Sequence, residues 1–374
     1  MRVLIAVGFY FAASIAALAA DPVELGRGTA PNHPQQPQLA VDAKGSIHAV
    51  FGVHDTIHYC RSDDGGQSFG KAVELPRVNA MSLGMRRGPR IAVAKGEIWV
   101  TAIGGKQGKG RDGDVLALRS SDGGQTWTGP VQVNDVADSA REGLHAMAAA
   151  ADGTLCCVWL DLRNKQMEVM ASTSLDAGRT WSENVLVYQS PDGSVCPCCH
   201  PSVTFDDKGR MLVMWRNSLG GDRDMYLASS SDGGKSFGKA TKLGSGSWPL
   251  DRCPMDGGSI AVSSGGEVAS VWRREKSVYL LAAGASQERL LGIGEQPSIT
   301  ATASGNYVAW LSKRGEQAWL LTPARSSPVE LATQAADPVI VSGPGGLVVA
   351  AWERRGDKDY SIQCQVIDSP SRAR

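Results

Sequence analysis

Short runs of alternating apolar and polar residues recur along most of the chain. Each opens near proline or glycine, turns at a glycine, and continues into a second apolar run. A period of two marks strands with one buried face. The openings lie at 37–41, 89–93, 144–148, 201–205, 258–262, 297–301 and 338–341. Second runs close on Trp159, Trp215, Trp272, Trp310 and Trp352, each followed within four residues by arginine or a basic pair. This predicts an all-β chain of seven antiparallel meanders, with six as the alternative. The last unit supplies only three strands (338–341, 347–352 and 360–367). Pro22-Val23-Glu24-Leu25 matches the outer-strand segment Ala72-Val73-Glu74-Leu75. The N-terminal strand is therefore expected to complete the last sheet and close the ring, which would leave no exposed edge.

Four of the units carry a second pattern. Ser120-Ser121-Asp122-Gly123-Gly124-Gln125-Thr126-Trp127 has the form S-x-D-x-G-x-T-W, and the same offsets recur at 62–69, 174–181 and 230–237. From Asp64 to Asp122, Asp176 and Asp232 the steps are 58, 54 and 56 residues. In such a turn the carboxylate can accept bonds from turn NH groups and from the Ser or Thr hydroxyl. Glycine supplies positive φ. The closing aromatic is expected to bury between neighbouring sheets. A repeat of this length is what radially arranged sheets leave in a sequence.

These octapeptides are Asp boxes, or BNR repeats, and the chain resembles the sialidase-like β-propellers. The resemblance implies one propeller domain over 21–374, with the boxes in structural turns joining third and fourth strands. It also implies a site on the opposite face, built by the loops into first strands and between second and third strands. In that family three arginines clamp a carboxylate, beside a tyrosine nucleophile paired with a glutamate and an aspartic acid–base residue. The family's first arginine is missing here, since the matching stretch reads Pro34-Gln35-Gln36-Pro37. Pro89-Arg90-Ile91 echoes it one unit later. The tyrosines fall inside expected strands, so no nucleophile is assigned.

Residues 1–20 have the form of a secretory signal: Arg2, an apolar run, then Ala17-Leu18-Ala19 before Asp21-Pro22. The mature protein is expected to be secreted or periplasmic, detached from the membrane, and monomeric. Lys plus Arg and Asp plus Glu are 38 each. That balance offers no electrostatic footprint for nucleic acid or a membrane surface. No Gly-rich nucleotide loop is present.

Arginines are the chemistry that the mouth loops would share. Arg87, Arg90, Arg141, Arg163, Arg216, Arg252 and Arg273, with His145, are the candidate ligand-binding set, because guanidinium groups recognise carboxylates bidentately. Asp55, Asp112, Asp114 and Asp161 are the loop acids that could act as acid–base groups. The expected function is binding, with or without processing, of an anionic sugar or similar small ligand. A sialidase-type glycoside hydrolase with a rearranged site is the first alternative.

A second alternative rests on cysteine. Of eight, Cys60, Cys156, Cys157 and Cys364 fall in expected strands, where a buried thiol is ordinary. The others enter two neighbouring loops as Cys196-Pro197-Cys198-Cys199-His200 and Cys253-Pro254-Met255. Disulfides between these loops are one reading for an extracytoplasmic chain. A soft metal site of Cys196, Cys198, Cys199, His200, Cys253 and Met255 is the other, suited to copper(I) in a copper-binding or thiol-redox protein. The string also satisfies C-x-x-C-H, the haem-attachment signature, though a tight loop leaves no room for the macrocycle. With Trp215-Arg216-Asn217, the C-x-C-C loop resembles that of a group of secreted bacterial Asp-box proteins.

Overall fold

The alternating runs form strands almost throughout, and among the described residues the only helical element is the single turn Pro344–Gly346. The computed structural model describes residues 21–108 and 110–369. The expected signal segment 1–20 lies outside the described residues.

The chain is an all-β propeller. Its first blade is Pro34–Val41, Ile47–Val53, Thr56–Ser62 and Val73–Glu74. The second is Arg90–Ala94, Glu97–Gly105, Asp114–Ser120 and Thr128–Gln132, with Ala80–Met81 added against Glu97–Gly105. His145–Ala149, Leu155–Asp161, Glu168–Ser174 and Val185–Tyr188 make the third. The fourth is Ser202–Phe205, Met211–Arg216, Met225–Ser230 and Thr241–Lys242, and the fifth Ser259–Val262, Val268–Arg274, Ser277–Leu281 and Arg289–Ile293. The strands that follow, together with the N-terminal strand, make one seven-stranded sheet in the order Val23–Gly28, Tyr360–Asp368, Val348–Arg355, Val329–Ser342, Glu316–Leu321, Gly305–Leu311, Glu295–Thr302.

The expectation of seven separate units, or six, is thereby corrected to five discrete blades. The reason is Val329–Ser342. Its first half pairs with Glu316–Leu321 and its second with Val348–Arg355, so one 14-residue strand serves both meanders. The N-terminal strand Val23–Gly28 pairs antiparallel with Tyr360–Asp368.

Apolar clusters sit between adjacent blades. Leu144, Val158, Leu160, Val213 and Trp215 bring the third and fourth blades together, and Trp159, Trp215 and Trp310 are at most 1 % exposed. Removing so large a buried aromatic costs about 3–5 kcal/mol. Second-strand tryptophans are thus the girders of the propeller.

The box turns fasten themselves and dock on the preceding unit. Ser120 Oγ donates to Asp122 Oδ1 at 2.8 Å, Gly124 N to Ser120 Oγ at 2.9 Å, and Thr126 Oγ1 to Asp122 Oδ2 at 2.5 Å. Gly124 has φ +90°, and a Cβ there would meet the Tyr59 ring at 2.3 Å. Trp127 stands edge-on to Tyr59, 5.2 Å between centroids. Trp99 Nε1 donates to Ala177 O of the next box at 2.8 Å. Phe69, Trp181 and Phe237 pack likewise against clusters shared by two units. No helix among the described residues is long and apolar enough to cross a membrane.

Candidate functional site

Opposite the boxes, loops that lead into first strands meet loops that join second to third strands. A cavity of about 650 Å³ there is lined by Gln35, His54, Asp55, Ser82, Arg87, Arg141 and Glu142, with Pro31, Met81, Leu83 and Gly110. It belongs to the mouths of the first three blades. Asp55 Oδ1 accepts from Met81 N at 3.2 Å, and its Oδ2 is 2.9 Å from His54 Nδ1. Arg87 Nε donates to Glu142 O at 2.6 Å, and its Nη2 is 3.9 Å from Glu142 Oε2. Arg141 is exposed, with no ion-pair partner among the described residues. Two cations, two carboxylates and an imidazole therefore share one open cleft.

The other candidate arginines are held differently. Arg90 is buried, donating through Nε to His145 O at 3.1 Å, through Nη1 to Gly88 O and Pro89 O at 3.2 and 3.0 Å, and through Nη2 to Arg86 O. Arg216 is 1 % exposed and donates to the carbonyls of Asp256, Arg223 and Arg273 at 3.1, 2.6 and 2.8 Å, while lying over the Trp248 ring. Such a side chain ties loops together. Arg163 pairs with Asp161 at 2.9 Å and Asp135 at 2.8 Å. Arg273 pairs with Glu295 at 3.0 Å, and Arg252 is exposed. None of these five lines the 650 Å³ cleft.

The candidate acids and imidazole are likewise engaged. Burial alone would raise the Asp161 pKa, but bonds from Arg163, Trp159 and Ser139 hold it below the ordinary value. Backbone NH groups of Gln107 and Gly108 lower that of Asp112. Asp114 accepts from Asn134 and from Asp138 N, both at 2.7 Å. His145 is fully buried with Nε2 3.1 Å from Thr101 Oγ1, and burial beside Arg90 keeps it neutral.

A narrower cavity, about 230 Å³, lies among the inner strands of all six sheets and is lined by Arg86, Arg90 and His200. Arg86 reaches it from the second blade and donates to Gln296 O and Pro338 O at 2.6 and 3.2 Å. His200 is half-buried, with its Nδ1 shielded from solvent and unpartnered, and desolvation with the charges of Arg86, Arg90 and Arg216 pushes its pKa well down.

The cysteine loop opens the fourth blade. The three sulfurs of Cys196, Cys198 and Cys199 lie within 4.8 Å of one another. All eight cysteines are free thiols, and Cys253 on the adjoining loop is exposed. His200 turns to the axial cavity, and Met255 sits at φ +52° in the Cys253 loop. Cys60 and Cys364 share one core cluster.

Glu142 and His54 were not singled out by the sequence. The adjacent signal was the loop Ala140-Arg141-Glu142-Gly143, where Arg141 alone drew notice.

Comparison with known proteins gives a domain match and the fold. The BNR repeat-like domain matches residues 87–249. No curated protein matches the sequence significantly. Among solved structures, an α-L-arabinanase of Penicillium chrysogenum in complex with arabinobiose superposes with TM-score 0.56 at 14 % identity, over 94 % of this chain and 99 % of that one. A family PL25 ulvan lyase bound to a GlcA–Rha3S saccharide gives 0.58 at 11 %, over 93 % and 96 %. A protein of unknown function from Dyadobacter fermentans DSM 18053 gives 0.53 at 15 %, over 92 % and 99 %. At these identities the superpositions establish the fold. With four Asp boxes in phase, each fastened by its own Asp and Ser and docked on the unit before it, the chain has the β-propeller fold and carries a BNR repeat-like domain similar to that of the sialidase-like propellers.

Proposed function

We propose that this propeller binds an acidic saccharide in the mouth cleft, with Arg87 and Arg141 as the groups that meet its carboxylate. The observation that carries the reading is a polar 650 Å³ cleft into which consecutive loops bring two arginines. That volume suits a mono- or disaccharide, within the roughly 300–1,000 Å³ usual for small ligands. Arg87, half-buried and fixed by Glu142 O, is pre-set for a planar anion, whereas Arg141 can swing onto it. The ulvan lyase relative, described with a GlcA-containing saccharide, agrees with an acidic sugar as the class. In this reading the protein works as a monomer outside the cytoplasm.

Processing of the sugar is the second reading, and Asp55 with Glu142 favours it. Two carboxylates in one cleft, with His54 against Asp55, are the minimum set for general acid–base work on a glycosidic bond.

Calorimetric titration with sialic acid, glucuronate and neutral arabinose tests the binding. The acidic sugars are expected to bind and arabinose not to. Arg141→Ala, an exposed change, is expected to keep the fold and lose the binding. Equal affinity for arabinose, or none for either acid, overturns the reading. Turnover of aryl glycosides that disappears in Glu142→Gln would establish processing, and its absence across acidic glycosides would remove it.

A further inference from the structure

Three sulfurs converge at the head of the fourth blade, outside the saccharide cleft. Cys196 Sγ is 3.4 Å from Cys199 Sγ and 3.7 Å from Cys198 Sγ, and Cys198 and Cys199 are 3.9 Å apart. A disulfide would bring two of them to about 2.05 Å, and neighbours in sequence close such a bond only under strain. Ligands at about 2.3 Å from a common metal ion would instead stand about 3.8–4.0 Å apart, the edge of a tetrahedron or of a flat triangle. The observed triangle fits that spacing with a few tenths of an ångström of contraction.

The loop is held from both sides. Val195 N donates to Met167 O at 2.9 Å and Cys196 N to Arg216 O at 3.1 Å. Cys196 and Cys199 are at most 1 % exposed, while Cys198 is half-buried and leaves a way in. The set contains no carboxylate, and the His200 ring lies with Arg86 and Arg90 along the axial cavity.

We propose that Cys196, Cys198 and Cys199 form a three-sulfur site for one copper(I) ion. Softness selects a thiophilic metal, and three donors without a fourth in the set select an ion content with three, whereas zinc completes a tetrahedron. Binding displaces the thiol protons and involves no electron transfer, since copper arrives and stays as copper(I). Cys253 is exposed and outside the triangle. It is not required. This site is independent of the saccharide reading, because no cysteine lines that cleft.

The test is anaerobic titration of the reduced, folded chain with copper(I) against a chromogenic copper(I) chelator, with native mass spectrometry for stoichiometry. One copper(I) per chain is expected. Cys198→Ser, at the most accessible of the three, is expected to weaken binding more than about a hundredfold, beyond the ten- to hundredfold that outer-shell changes cost. Cys253→Ser is expected to bind as the parent does. Failure of the reduced parent chain to take up copper(I) overturns the proposal whatever the variants do. So does zinc(II) displacing copper(I) at equal concentration, or loss of binding in Cys253→Ser equal to that in Cys198→Ser, since either outcome describes a four-sulfur zinc site.

Discussion

The Asp-box rim and the mouth on the other face are built by opposite strategies. At the rim every fastening partner is within four residues. Ser Oγ reaches Asp Oδ1 at 2.8, 2.8, 2.9 and 2.7 Å in the four boxes, and the glycine NH reaches Ser Oγ at 2.9, 2.9, 2.8 and 2.9 Å. At the mouth, beside local pairs such as His54–Asp55 and Arg163–Asp161, the ties that hold the loops reach far along the sequence. Arg86 crosses 210 and 252 residues to Gln296 and Pro338, and Arg216 crosses 40 and 57 to Asp256 and Arg273. A turn that satisfies itself can be copied from unit to unit. A loop held by its neighbours is free to differ, and there the unengaged groups of the saccharide cleft occur.

The largest effect that separates the two regions is expected at Arg216. Arg216→Ala leaves the carbonyls of Asp256, Arg223 and Arg273 without the donor that a 1 % exposed side chain supplies. At about 1–3 kcal/mol for each unsatisfied group, the loss should be at least about 3 kcal/mol. Denaturant unfolding measures it, and a loss under about 1 kcal/mol would mean the mouth is not held by this side chain.

At the rim, Gly124→Ala is the next test. Its φ of +90° and the Tyr59 ring 2.3 Å from a new Cβ combine backbone strain with a clash against the first blade. Strain of this kind costs about 1–3 kcal/mol, so about 2 kcal/mol is expected in the same assay. Gly123→Ala, equally left-handed but with its Cβ facing the end of the Arg61 side chain, should cost less. Equal costs would show that conformation, not docking on the preceding unit, sets the need for glycine.

This contrast also decides what could be read before any coordinates. The boxes were legible because their chemistry is local, and the second-strand tryptophans because burial at period two leaves a plain mark. The joined last sheet was not. Pro338 reads as the opening of a new unit, yet Val329–Ser342 is one strand whose pairing continues past Gln334 and Asp337, at φ +52° and +48°. Nor does sequence distinguish an arginine that binds loops from one that faces solvent. Arg216 and Arg141 look alike in a string of letters. The first is sealed under Trp248 with three carbonyls, and the second stands open. The cysteine loop was legible as a group, but the turning of His200 towards the axis depends on Gly257 lying against it, and that is a tertiary fact.

The smallest effect is the most diagnostic, because the two regions should respond to acid with opposite sign. Asp176 accepts from Ser174 Oγ, Arg179 N, Thr180 N and Thr180 Oγ1 at 2.9, 3.1, 2.9 and 2.7 Å. Burial is the largest single effect and raises the pKa, but the bonds together outweigh it and hold the carboxyl at about 2. Unfolded, it titrates near 4, at about 3.9. Its contribution is therefore complete above about pH 4 and is lost as pH falls towards 2. Glu353 and Asp256 at the mouth are raised, by burial first and, for Glu353, by Asp337 next, with Arg314 and Arg355 opposing. Protonation of these two favours the folded chain, so their share of stability grows as pH falls through their folded values. Asp176→Asn keeps one acceptor oxygen but presents an amide NH2 to Thr180 Oγ1, and it does not titrate. A melting temperature a few degrees below the parent's is expected at pH 7, with the gap closing between about pH 4 and pH 2. A gap that stays constant over that window would mean the box carboxylate contributes shape and not charge.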